Sequence, residues 1–275
     1  MNNYSFSKDK LLRNGQNNIK SSWKIAKPIK FWKMLLFLIK KGIISIWNSG
    51  DIMGIKEQAQ YVRESLKDYP NVKIVAATKY MTVEQTEELI KCGFKDFGEN
   101  RTDMFLEKYE RLKDYKDINW HFFGVVQSRK IRDIVNKITC LHSLDRLSLA
   151  IELNKKLTKP LDCFIQVNIS EEANKQGVPA NKVKTFVKQL EAYPNIRVVG
   201  LMCIAKLTFD EDVLRKSFRK MRDLKEEIEE MNLSYAPCHE LSMGMSNDYK
   251  IALEYGTTVI RLGRIFLQEN KNGLI

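Results

Sequence analysis

The sequence predicts an α/β fold, a single (β/α)8 TIM barrel formed by residues 53–275. Three observations carry this expectation. Short apolar segments alternate with amphipathic helical ones from residue 54 onward, the pattern of a parallel sheet with helical crossovers. Eight apolar segments can be distinguished, the number that closes a barrel. The chain of 275 residues is 44% hydrophobic and 29% charged, which suits one globular domain of the roughly 200–250 residues a barrel needs.

Taken in chain order, residues 1–52 stand apart. They are rich in Asn, Lys and Ser and carry ten Lys or Arg against two acids, so eight of the twelve formal positive charges sit there. A net charge of +12 would otherwise point to nucleic acid or a membrane surface. Confined to this segment, it says little about the folded body, and no nucleic-acid partner is expected. The apolar run 34–39 is far short of the roughly 20 residues of a membrane span, and no signal-peptide core or cleavage site stands out. A basic helix lying on a membrane surface is one alternative. The preferred reading is a disordered basic extension or a mis-called start. Ser49, Gly50 and Asp51 can be encoded by a purine-rich run resembling a ribosome-binding site, and Met53 then opens the folded chain.

A helix at 54–67 follows and is expected to cover the barrel bottom. Strands are expected at 72–79, 96–100, 119–124, 140–144, 162–169, 197–205, 240–244 and 258–263. Two helices between them read most clearly. Thr82 and Gln85 fit a capping box, and Leu214, Met221, Leu224, Ile228 and Met231 recur at helical spacing within 210–231. The chain ends soon after the eighth strand, so no second domain is expected behind the barrel. Cys92, Cys140, Cys163, Cys203 and Cys238 are odd in number and widely spaced, which gives neither a disulfide framework nor a metal pattern. Cys163 and Cys203 read as buried thiols, and a reducing, cytoplasmic compartment fits.

Barrels of this kind carry function at the carboxyl ends of their strands. Lys79 is expected to end the first strand on the face shared by Val75 and Ala77. Inside a nearly dry mouth, desolvation would lower its pKa and make it nucleophilic toward aldehydes. The segment 242–248 ends the seventh strand with Ser242, Gly244, Met245 and Ser246. Its hydroxyls and unobstructed N–H groups suit a phosphate, with Ser246 capping the helix that follows. On the eighth strand Val259, Arg261 and Gly263 are expected inward, Ile260 and Leu262 outward; a buried arginine needs a partner, and Gly263 permits close approach of a ligand. His121, His142 and His239 show no metal-ligand spacing, and His142 is read as a hydrogen-bonded structural histidine.

With these segments in view, the sequence resembles the YggS/PROSC family of pyridoxal 5′-phosphate (PLP) homeostasis proteins over nearly all of 54–270. The matching segments are AATK at 76–79, FGEN at 97–100, WHFFGVVQSRK at 120–130, HSLDR at 142–146, QVNIS at 166–170 with Lys175 and Gly177, GLMCIA at 200–205, SMGMSND at 242–248 and RLG at 261–263. The resemblance implies a barrel of the alanine racemase N-terminal-domain type without the second β domain. It implies PLP held as a Schiff base (internal aldimine) on Lys79, and Asn100 near the cofactor. Ser242, Gly244, Met245, Ser246 and Gly263 would contact the phosphate, and Arg261 would stand opposite the pyridine nitrogen. The chain departs from the family pattern in its first 52 residues, and in reading Ile265, Phe266, Leu267, Gln268 where an Ile-Phe-Gly run is usual.

The function implied is non-catalytic PLP binding in intracellular PLP homeostasis and amino-acid and keto-acid balance. PLP-dependent apoenzymes are the implied acceptors, and a monomer is expected. The alternatives are a PLP-dependent racemase or lyase of narrow activity, an aldolase-type barrel using Lys79 without PLP, and a nucleic-acid binder. Racemisation would need a second acid/base group on the far face of the substrate, and related racemases complete their site with a second domain.

Overall fold

The computed structural model describes residues 54–127, 130–170, 172 and 175–267. All of them belong to one of the two units into which the chain divides, Ile52–Ile275. The extension or mis-called start expected at 1–52 lies outside the described residues.

The eight expected strands are found, with shifted ends: β1 (Lys73–Ala77), β2 (Asp96–Glu99), β3 (Asn119–Phe122), β4 (Cys140–Leu144), β5 (Leu161–Asn168), β7 (Ile196–Cys203), β8 (Glu240–Met245) and β9 (Val259–Leu262). Their hydrogen-bonded order is β4, β3, β2, β1, β9, β8, β7, β5, and β4 also pairs with β5. Every one of these pairings is parallel, so the eight strands close into a barrel. A further two-residue strand, β6 (Val178–Pro179), continues the edge of β5 through Val167 and Asn168. The sequence did not announce it, because two residues carry no period. It depends on Gly177 at φ +120°, where a Cβ would stand 2.6 Å from the Asn168 nitrogen, so only glycine passes there.

Eight helices are described around the barrel: α1 (Ile55–Ser65), α2 (Val83–Lys91), α3 (Thr102–Arg111), α4 (Ile131–Ile134), α5 (Leu147–Lys156), α6 (Val183–Gln189), α7 (Glu211–Glu229) and α8 (Tyr249–Glu254). The capping box expected at Thr82 and Gln85 starts α2. Helix α7 is capped by the Asp210 carboxylate on the Asp212 and Val213 N–H groups. It buries Leu214, Phe218, Met221, Leu224 and Ile228, and each such side chain contributes about 1.5–3 kcal/mol of burial. Between helices and strands lies the main core, which includes Ile260, Leu262, Phe97 and Phe105.

Helix α1 does not lie under the barrel as expected. Arg63 donates to the Cys92 carbonyl just after α2, Tyr249 of α8 donates to Ser65, and α1 packs on the 3₁₀ turn Arg264–Phe266. It therefore stands in the ring of helices beside the β9–β1 seam, where the described residues after β9 form that short turn. The five cysteines are free, and burial pushes the Cys203 thiol up to about 12. Among the described residues no helix is long and apolar enough to cross a membrane.

Candidate functional site

The inside of the barrel is filled by a small apolar plug and, beside it, a polar layer. Val75, Cys140, Phe164, Met202 and Val259, one from each of five strands, form the plug. Each points inward because strand residues alternate faces. The His142 ring lies stacked on Phe164, with centroids 4.4 Å apart. His142 Nδ1 meets the Ser242 hydroxyl at 2.9 Å.

Ser242 also accepts from Arg261 Nη1 at 2.6 Å, and Arg261 Nη2 donates to the Cys203 carbonyl at 2.8 Å. Arg261 faces inward as expected and is buried. The partner expected for it is a hydroxyl and a carbonyl. Among the described residues no carboxylate lies within ion-pair distance of it. Burial lowers its pKa, the direction expected when a cation leaves water.

Beyond the ends of β8 and β9, the two loops meet at one hydroxyl. The N–H groups of Gly263 and Ile265 both point at Ser246 Oγ, at 3.4 and 3.3 Å. Gly244 has φ +92°, and a Cβ there would meet the Ala252 Cβ at 2.8 Å. Its glycine lets the loop turn against α8. Gly263 is needed for a different reason: a Cβ would stand 2.7 Å from the Ala77 carbonyl oxygen, so it lets the end of β9 close onto the end of β1. Ser246 does not cap a helix as expected. Asp248 is the N-cap residue of α8, with no side-chain cap bond. Its carboxylate turns back to accept from the Met245 N–H at 2.6 Å. Burial raises the Asp248 pKa, against the Met245 hydrogen bond and the Arg261 charge.

Lys79 is not the last residue of β1. The strand stops at Ala77, and Lys79 sits in a turn closed by the Met81 N–H on the Thr78 carbonyl. It is half-buried rather than sealed in a dry mouth, with Nζ 4.7 Å from the centroid of the Tyr80 ring. It lines a cavity of about 360 Å³ between the start of α2 and α3, with Thr82, Met104 and Lys108. Asn100 lines a larger cavity of about 670 Å³, with Phe123, Gln166 and Ile204. The Asn100 Oδ1 atom is buried without a partner. The structure thus ties Ser242 to Arg261, Ser246 to Gly263, and Gly263 to the end of β1; Lys79 and Asn100 stand on the loops after β1 and β2.

Two polar constellations escaped the sequence reading. The first continues from His142: its Nε2 lies 2.9 Å from His121 Nδ1, and His121 Nε2 lies 3.0 Å from Asp96. Burial would raise the Asp96 pKa, but the hydrogen bond and proximity of His121, with Lys73, hold it below the usual carboxylate value. The signal was the two-residue period: Asp96, His121, Cys140 and His142 all fall on inward positions. The second is a buried ion pair outside the wall, Lys108 with Glu99, in which Lys108 also donates to the Thr78 carbonyl at 2.6 Å.

The chain matches the alanine racemase N-terminal domain family over residues 50–269. It is 38% identical to the pyridoxal phosphate homeostasis protein of Aquifex aeolicus over 203 residues, 72% of this chain and 87% of that one. PipY of Synechococcus elongatus, solved with PLP bound, shares 28% identity with a TM-score of 0.71, covering 78% of this chain and all of PipY. Alanine racemase from Corynebacterium glutamicum shares the fold at 16% identity and a TM-score of 0.60, with this chain covering 62% of its length. The eight-stranded barrel, the match across its whole length and the identity to these relatives lead to one assignment: the chain belongs to the pyridoxal phosphate homeostasis protein family, on the alanine racemase N-terminal-domain fold.

Proposed function

We propose that this chain binds pyridoxal 5′-phosphate at the mouth of its barrel and serves PLP homeostasis without a turnover of its own. The observation that carries the reading is the meeting of the Gly263 and Ile265 N–H groups on Ser246 Oγ. Those bonds are long for N–H···O contacts, so an anionic oxygen offers both donors a better acceptor. The donor set therefore fits a phosphate. Two further observations fit the rest of the group: a buried guanidinium with no carboxylate beside it among the described residues, and the unpartnered Asn100 Oδ1.

In this reading Ser246 and Gly263, with Ser242, Gly244 and Met245, hold the phosphate side. Asn100 lies beside the ring, and Lys79 supplies the amine for a covalent link to the aldehyde. When bound, PLP supplies an aldehyde and an electron sink. Arg261, placed opposite the pyridine nitrogen, disfavours a proton there because two positive charges would be close. That weakens the sink and suits a carrier better than an enzyme. The relatives' printed names, which speak of homeostasis, support the same choice. The binding domain is residues 53–275, acting as a cytoplasmic monomer that hands PLP to PLP-dependent apoenzymes.

The test is the visible spectrum of the purified protein with added PLP, before and after borohydride, beside Lys79→Ala. A yellow band that borohydride removes and the variant lacks is expected. A protein that stays colourless would overturn the binding reading, and sustained racemase or lyase turnover would overturn its non-catalytic part.

A further inference from the structure

The hydrogen bonds inside the barrel form one unbroken chain from its floor toward its mouth, and its ends fix the position of every proton along it. Arg261 can only donate, so Ser242 Oγ accepts from it. Among the described residues the remaining partner of Ser242 is His142 Nδ1 at 2.9 Å, which must accept the one hydroxyl proton. His142 is then neutral with its proton on Nε2, and donates to His121 Nδ1 at 2.9 Å. That leaves the His121 proton on Nε2, facing the Asp96 carboxylate at 3.0 Å. No donor faces a donor anywhere in this arrangement. Reversing it would strand the Ser242 proton with no acceptor.

Cys140 lies close to both imidazoles, and the three could by element type ligate a metal. The 2.9 Å between the facing nitrogens assigns them instead to a hydrogen bond. Two nitrogens tetrahedrally bound to one zinc, each at about 2.0–2.1 Å, stand roughly 3.3 Å apart.

We propose that Asp96, His121, His142 and Ser242 are a positioning relay for Arg261. The relay balances the buried guanidinium with a carboxylate on β2, two strands away from β9, and fixes the edge it presents to the mouth. Groups that face the relay from neighbouring strands agree with this. Lys73 on β1 and Asn119 on β3 hold Asp96 as an ionised acceptor. Burial, reinforced by its neighbours His121, Arg261 and Lys73, pushes His142 well below the usual histidine value and keeps it neutral. A carboxylate in direct contact would have tied up the guanidinium; an answer delivered through three neutral groups leaves it oriented and without a contacting anion. The relay is proposed for the chain itself, but its consequence for PLP rests on the binding reading above.

The experiment has two arms, and the first needs no cofactor. The protein is labelled with ¹⁵N-histidine, and long-range proton–nitrogen spectra are recorded from pH 5 to 8. His142 should appear as the neutral Nε2–H form throughout, and His121 should show its Nε2–H form at pH 8. Asp96→Asn, which keeps an acceptor oxygen, should preserve that form, whereas Asp96→Leu leaves the His121 Nε2–H without its acceptor and should shift the His121 signals, with His142 still fixed from the Arg261 end. Either ring as the Nδ1–H form, or His142 titrating near the ordinary value of about 6.5, would overturn the relay.

In the second arm PLP is titrated into wild type, Asp96→Leu, Ser242→Ala and the floor control Glu240→Gln. Losing a hydrogen bond to a charged group weakens uptake by about tenfold or more, so this loss is expected for the first two variants, with the control within about twofold. Unchanged uptake in Asp96→Leu would overturn the relay's hold on the mouth. A wild type that takes up no PLP sinks the binding reading alone, and the histidine spectra still decide the relay.

Discussion

Lys108 and Arg261 are both buried cations, one outside the barrel wall and one inside it. Lys108 reaches from α3 to the back of β1 and β2, where Glu99 and the Thr78 carbonyl take its protons. Among the described residues Arg261 meets only a hydroxyl and a carbonyl, and the nearest carboxylate on its hydrogen-bonded path is Asp96, four links away. A charge that serves the fold is neutralised by contact, because an isolated ion in the interior is costly. Arg261 is held as firmly but not neutralised locally, so it keeps attraction to spare for an incoming ligand.

The largest expected effect tests the first half of that contrast. Lys108→Met should cost about 3–5 kcal/mol, because it strands the buried Glu99 charge. Adding Glu99→Leu should restore much of the loss, and denaturant unfolding of single and double variants measures both. Arg261→Met should cost less, about 1–2 kcal/mol, since it removes two hydrogen bonds and strands no anion. If it proves as damaging as Lys108→Met, the two cations do the same structural job and the contrast fails.

Thr82→Ala removes one half of the capping box that starts α2 beside Lys79. It should lower stability by about 1 kcal/mol, and PLP uptake should change little if α2 only frames the site. The smallest effect concerns acid. The folded pKa of Asp96 lies below its unfolded value. Its contribution is therefore complete above about pH 3.9 and fades as pH falls through the folded value. Asp96→Asn should lower stability modestly at pH 7, where that contribution is complete, and flatten its fall with acid below about pH 4, as denaturant unfolding at each pH would show.

The outer layer was legible in the sequence because its signal is local. Leu214, Met221, Leu224 and Ile228 repeat at helical spacing, and Ile260 and Leu262 alternate with Val259 and Arg261, so one window suffices to assign each face. The inner layer is not local. His142 and Ser242 are 100 residues apart and His121 and His142 are 21 apart; only the strand register brings them together. Read one at a time, His121 and His142 were indistinguishable from isolated core histidines. The floor position of α1 failed for a similar reason: its apolar stripe shows that it packs, but not on what. The ends of β1 and β9 were overextended because Lys79 and Gly263 continue the apolar rhythm into loops, where the Thr78–Met81 turn breaks it.

The seam beside α1 also bears on how the protein is made. The barrel closes by pairing β1 with β9, Lys73 against Val259, and α1 rests on the turn that follows β9. As the chain is synthesised from its amino end, β1 can pair with β2 early, but its other edge stays open until β9 arrives. Contacts so distant along the chain form slowly. That open edge of β1, and the part of α1 that rests on the turn after β9, must wait exposed through most of synthesis, which makes this seam a place where a nascent chain needs shelter from its neighbours.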